Sequence, residues 1–161
     1  MALTLRSPDF EHNTAIPARY TCEGDNISPP LVWDEPPKGT KSLVLIVDDP
    51  DAPDPAAPKR VWVHWVIYNL PPTAGSLPAG VFNEDLPKGA LAGKNDRDNI
   101  GYNGPCPPIG THRYYHKLYA VDIVLPDMNA PTKAQVLEKI EGHILEYSEL
   151  MGLYKLTVTK N

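Results

Sequence analysis

Cysteine, long apolar runs and clustered basic residues are all scarce in this 161-residue chain, and each shortage removes a class of protein. Two cysteines, Cys22 and Cys106, are too few and too far apart for a disulfide framework or a zinc knuckle; they read as free thiols in a reducing compartment. No apolar run reaches the ~20 residues needed to span a bilayer. The opening Met-Ala-Leu-Thr-Leu-Arg-Ser-Pro-Asp lacks the apolar core of a secretory signal, so a cytoplasmic protein is expected. With a formal charge of −5 and no Lys/Arg cluster, the main source of affinity for a phosphate backbone is missing, and no nucleic-acid partner is expected. The Gly-x-Ser-x-Gly elbow, the His-Glu-x-x-His helix and the Walker loop are absent too. The expectation is a protein that is not an enzyme and needs no cofactor.

What is present suits a folded, β-rich domain spanning residues 1–161. The apolar share is 42%, and nineteen prolines lie between apolar runs instead of forming a tract. Leu43-Val-Leu-Ile-Val47 is a continuous apolar, β-branched run ending at Asp48, which predicts a strand buried on both faces. Val61–Tyr68 and Tyr114–Leu125 predict two more strands, with weaker ones at Leu3–Arg6 and Tyr154–Thr159. A helix is expected from Thr132, where Thr132 and Gln135 have capping-box spacing. Val136, Ile140 and Ile144 then recur every four residues, joined by Leu137 and Tyr147, with Gly152 as its C-cap and Gly142 a weak point inside it. The pattern predicts a sandwich or partly closed barrel with one peripheral helix late in the chain.

Two stiff segments carry the candidate chemistry. In Gly104-Pro-Cys-Pro-Pro-Ile-Gly-Thr-His-Arg-Tyr114, three prolines and two glycines restrict a loop that delivers His112 and Tyr114 to one strand face. In Asp49-Pro-Asp-Ala-Pro53, two carboxylates sit on an extended, proline-braced turn. His64 shares its strand with Trp62, Val66 and Tyr68, and by alternation shares their face. A core histidine and turn-capping aspartates are the plain readings of these residues. His12, His116 and His143 fall outside the segments and read as structural or surface groups. Cys106 lies in the loop with no neighbouring base in sequence to activate it.

Five segments, in order, resemble the phosphatidylethanolamine-binding proteins, and especially their bacterial and archaeal Raf-kinase-inhibitor-like branch. They are Tyr20-Thr-Cys-Glu-Gly-Asp-Asn-Ile-Ser-Pro-Pro-Leu-Val-Trp33, Asp49-Pro-Asp-Ala-Pro53, His64-Trp-Val-Ile-Tyr-Asn-Leu-Pro71, Gly101-Tyr-Asn-Gly-Pro-Cys-Pro-Pro108 and Gly110-Thr-His-Arg-Tyr114. The resemblance implies a mainly β fold, a β-sandwich of antiparallel-rich sheets, with a small anion pocket lined by Asp49, Asp51, His64, Gly104, Pro105, His112 and Tyr114. It implies a cis Ala52–Pro53 bond, a phosphate-bearing or other anionic ligand, and at most peripheral contact with membrane headgroups. A kinase or protease is the implied protein partner, and a homodimer the implied assembly. In this reading an Asp orients a His ring whose other N–H faces the anion, or binds the ammonium group of a zwitterionic ligand such as phosphoethanolamine, orientation being favoured for at least one Asp. The rival reading uses the two Asp and two His as metal ligands in a phosphoesterase.

Overall fold

In the computed structural model, which describes residues 3–157, the chain forms nine strands and one α-helix. In chain order they are β1 (Thr4–Arg6), β2 (Thr14–Ala15), β3 (Leu31–Asp34), β4 (Ser42–Ala52), β5 (Arg60–Leu70), β6 (Ser76–Leu77), β7 (Leu91–Ala92), β8 (His112–Val121), α1 (Lys133–Ile140) and β9 (Ile144–Tyr154). A three-stranded sheet runs β1-β3-β6, and a six-stranded sheet runs β2-β9-β8-β4-β5-β7. All pairings are antiparallel except β2 with β9. The expected sandwich with a late helix is the architecture found.

The apolar run of β4 explains why the large sheet is covered on both faces. Leu43, Leu45 and Val47 point into the core shared with Leu5, Leu31, Trp33 and Leu77 of the smaller sheet. Val44 and Ile46 point the other way, into a second core closed by Val136 and Ile140 of α1. Burying each of those two helix residues contributes about 1.5–3 kcal/mol. The capping box predicted at the helix start is present, with Thr132 accepting from the Gln135 N–H and the Gln135 side chain accepting from the Thr132 N–H.

Several expectations are corrected. The helix ends at Ile140, because Gly142 takes a left-handed conformation (φ +81°) and turns the chain back. Ile144 and Tyr147, read as continuing the helix, belong to β9, which pairs with β8 along its length. Gly152 is not a helix cap. It lies where β9 meets the N-terminal segment, and a Cβ there would run into Ile16 and come within 2.9 Å of a Phe10 ring carbon. The strand expected at Tyr154–Thr159 instead ends at Tyr154, and positions 158 and 159 lie outside the described residues. β4 does not stop at Asp48 but continues through register irregularities to Ala52, and β8 leaves the sheet at Val121, short of Leu125.

Candidate functional site

One end of the large sheet, where β4, β5 and β8 meet the loop before β8, encloses a cavity of about 340 Å³. Its walls are Asp49, Ala52 and Pro53 from β4 and the turn after it, Trp62 and His64 from β5, His112 and Tyr114 from β8, and Arg97, Cys106, Pro107 and Pro108 from loops. The Ala52–Pro53 bond at its edge is cis, as the resemblance implied.

His64 reaches this wall through a defect in the sheet. Val47 opposes Trp65, yet the next residue on β4, Asp48, opposes Val63, so β5 carries one extra residue at that point. Such a bulge reverses the alternation of side chains beyond it. Val66 and Tyr68 face the helix side of the sheet, while His64 faces the cavity with Asp49, His112 and Tyr114. The face assigned to His64 by simple alternation is therefore corrected.

The hydrogen bonds decide what each group can offer. Asp49 is buried and fully engaged: Oδ1 accepts from the Asp51 N–H at 2.7 Å, and Oδ2 lies 2.5 Å from His112 Nδ1. His112 Nε2 lies 2.9 Å from the Ile109 carbonyl oxygen, which can only accept, so Nε2 carries a proton. An Asp does orient a His, as expected, but the second N–H of that ring is bound to the loop and does not face a ligand. His112 thus holds the Pro-rich loop against the sheet, and its flat ring stacks on Tyr114 at 6.3 Å.

His64 has the opposite disposition. Its Nδ1 donates to the Asn103 carbonyl oxygen at 2.6 Å, which leaves Nε2 as a lone pair when the ring is neutral. Among the described residues Nε2 has no partner. Burial lowers the His64 pKa below its usual value, outweighing the opposing pull of the Asn103 bond and Asp49, and the neighbouring Arg97 charge acts in the same direction as burial. The Tyr114 hydroxyl, packed edge-on to His64 at 5.2 Å, also makes no hydrogen bond among the described residues. Burial, then the Asp49 charge, push its pKa up and keep it a donor. Arg97 is exposed at the mouth, and its guanidinium forms no ion pair among the described residues.

Three expected residues are not on the cavity wall. Asp51 is taken up by Arg113, which binds it through the backbone N–H, Nε and Nη2 at 2.9, 3.0 and 2.8 Å. That arrangement holds the Asp51 carboxyl below its usual range. Gly104 and Pro105 lie behind the wall. The Gly104 N–H donates to Asn26 Oδ1 at 2.8 Å, and the Pro105 carbonyl accepts from Cys22 N–H at 3.1 Å. With Asp51 and both nitrogens of His112 committed, the metal-ligand set disappears. Among the described residues no group of three or more His, Cys, Asp or Glu is placed to hold an ion.

The cysteines are also corrected. Cys22 and Cys106 form a disulfide across 84 residues of sequence, because the fold lays the turn at Cys22 against the loop at Cys106. The reading of two free thiols fails, and with it the inference of a reducing compartment. No helix among the described residues is long and apolar enough to cross a membrane. The sequence reading missed Arg97, which sits in Asn95-Asp-Arg-Asp-Asn99 with no motif to flag it, and gave Trp62 no role. Trp62 walls the cavity and carries the Arg60 guanidinium 4.6 Å over its ring.

Comparison with known proteins follows the same lines. The profile of the family described as phosphatidylethanolamine-binding protein matches residues 6–155. A UPF0098 protein of Methanothermobacter thermautotrophicus is 49% identical over 154 residues, covering 95% of this chain and 99% of its own. The crystal structure of a phosphatidylethanolamine-binding protein homolog from Chlamydia trachomatis superposes with a TM-score of 0.88 at 44% identity, covering 96% of this chain and 98% of that one. YbcL of E. coli, described as a member of the mammalian family, gives a TM-score of 0.87 at 29% identity over 98% of this chain and all of its own. None of the three is named for an enzymatic activity.

Proposed function

Because the chain belongs to the phosphatidylethanolamine-binding protein family, we propose that it is a non-catalytic binding protein whose cavity takes a small anion of the phosphate class, free or as a phospho-headgroup. One observation carries the reading: among the described residues, the wall groups without a hydrogen-bond or ion-pair partner include a hydroxyl donor, a guanidinium and an imidazole lone pair. Monohydrogen phosphate, or a phosphate monoester in its monoanionic form, is matched to these three. Its charge meets Arg97, one oxygen accepts from Tyr114, and its own P–OH donates to His64 Nε2. Trp62, Pro53, Pro107 and Pro108 supply an apolar surround for whatever the phosphate is attached to.

The two carboxylates, which would repel such a ligand, are each engaged within the protein, Asp49 by His112 and Asp51 by Arg113. Asp49 acts by fixing His112, and hence the loop, and not by touching the ligand. The regulatory part of the proposal, action on a kinase, protease or other phospho-dependent partner by a homodimeric protein, rests on family membership; sedimentation and partner pull-down address it.

Calorimetric titration with inorganic phosphate and with phosphoethanolamine tests the site. One site per chain is expected, weakened by Tyr114→Phe and by Arg97→Ala. Absence of heat, together with unmoved amide resonances from Asn103 to Tyr114, would overturn the reading.

A further inference from the structure

The disulfide joins two different environments. Cys22 lies in an exposed turn, whereas Cys106 is half-buried and forms part of the cavity wall that His64 and Arg97 also line. A thiolate attacking this bond from solvent meets Cys22 first. The sulfur that leaves is then Cys106, and its negative charge develops inside a cavity whose one unpaired charged group is a guanidinium. Thiolates are stabilised beside such cations, and a stabilised leaving thiolate departs faster. Exposed disulfides are also the reducible ones as a class.

The loops joined by the disulfide do not depend on it alone. Cys22 N–H donates to Pro105, Gly104 N–H to Asn26, and the Tyr102 hydroxyl to the Tyr20 carbonyl at 2.7 Å, all between the same two segments. Opening the S–S bond therefore alters the chemistry of the wall while leaving these contacts in place.

We propose that Cys22 is a thiol-modification site and that the Cys22–Cys106 bond is a latch on the anion cavity, opened by a low-molecular-weight thiol. The step balances as a thiolate exchange. The incoming sulfur forms an S–S bond to Cys22, the bond to Cys106 breaks, and its electron pair stays on Cys106 Sγ as a thiolate. A second equivalent of thiol attacks the outer sulfur of the mixed disulfide, releasing the symmetrical low-molecular-weight disulfide and leaving Cys22 as a thiolate. The Cys106 thiolate occupies Arg97 electrostatically and repels an incoming anion, so the modified protein binds phosphate about tenfold or more weakly, the scale of one like charge nearby in a partly solvated site. Reciprocity requires that bound phosphate hold the latch shut by the same factor.

This regulation rests on the anion reading of the cavity, but its chemistry is read independently of it. The native protein is treated with glutathione without denaturant, quenched with iodoacetamide and mapped by mass spectrometry. The expected product carries glutathione on Cys22 and the alkyl group on Cys106, with less of it formed when inorganic phosphate is present. Glutathione on Cys106, or no reaction until the protein is denatured, overturns the proposal.

Phosphate titration of two variants, each checked for folding by circular dichroism, reads the consequence. Cys22→Ser, which frees Cys106, should bind about tenfold more weakly. Cys22→Ser/Cys106→Ser, which lacks the same bond but carries no thiolate, should bind more tightly than Cys22→Ser. Equal loss in both variants would make the disulfide purely structural and sink the latch. If the native protein binds no phosphate while the thiol chemistry proceeds as described, the anion reading fails and the modification site stands.

Discussion

The sharpest consequence of the site is that it should distinguish phosphate from sulfate, two tetrahedral anions of nearly equal size. His64 Nδ1 is committed to Asn103, and burial holds the ring neutral near neutral pH, so Nε2 presents a lone pair. Monohydrogen phosphate brings a proton to that lone pair, and sulfate brings none. Sulfate has two options. It can face the lone pair and leave it unsatisfied, at about 1–3 kcal/mol. Otherwise Nε2 must take up a proton, which at about pH 7.5 requires at least ~1.4 kcal/mol for a group titrating at or below ~6.5. Either way phosphate should be preferred by about 10- to 100-fold at that pH. Above the His64 pKa, sulfate affinity should fall tenfold per pH unit with one proton taken up per anion bound. Phosphate should change much less. Calorimetry at about pH 5.5, 6.5 and 7.5, in paired buffers of different ionisation enthalpy, measures both quantities. His64→Gln, whose amide can itself donate, should abolish the proton uptake and bring the two anions together. Equal affinities at about pH 7.5 without proton uptake would refute the lone-pair argument, whatever else the cavity binds.

Removing either of the proposed ligand donors, Arg97 or Tyr114, should weaken phosphate binding unequally. Arg97→Ala loses a charge-assisted bond at an exposed mouth, worth about 1–2 kcal/mol there, and Tyr114→Phe loses a neutral one of about 0.5–1.5 kcal/mol, both read by titration. His116 is buried, donates through Nδ1 to the Tyr114 and Leu150 carbonyls, and has its pKa driven down to about 4 by burial. Its folded value lies below its unfolded value, so its contribution is intact above ~6.5 and is lost as pH falls towards 4. Roughly 3 kcal/mol of stability should disappear across that window and be absent from His116→Asn, as measured by urea unfolding at each pH. Gly152→Ala should cost about 1–3 kcal/mol by forcing a methyl into Ile16 and Phe10, and a variant as stable as the native chain would contradict that packing.

The parts of this molecule legible in the sequence were those written in local chemistry. The run Leu43–Val47 announces a strand covered on both faces, and Thr132 with Gln135 announces a helix start; both are found. The five-segment resemblance located the cavity and four of its wall residues, Asp49, His64, His112 and Tyr114. What stayed hidden was set by tertiary pairing. One extra residue in β5 moved His64 to the other face from Val66 and Tyr68, and alternation cannot register an insertion. Ile140, Ile144 and Tyr147 fall at helical intervals, but Gly142 breaks the chain between them and β9 is held by its partner β8. Asp51 carries the same side chain as Asp49, and only the position of Arg113 diverts it from the cavity. The disulfide depends on two turns 84 residues apart coming together.

The position of β9 inside the large sheet fixes an order of assembly. Made after every other strand among the described residues, it lies between β2 and β8, and the Leu5 N–H and the Ser148 hydroxyl meet across 143 residues of chain. β1 can pair with β3 early, but β2, whose strand partner is β9, cannot pair until that segment has left the ribosome. A nascent chain stopped before Ile144 therefore presents β8 as a bare edge and leaves β2 unpaired. Unpaired edges of this kind recruit foreign strands, and pairings so distant in sequence close slowly. Translation therefore passes through a long interval in which the half-built sheet is a substrate for chaperones or a seed for aggregation, and pairing of β9 with β8 ends it.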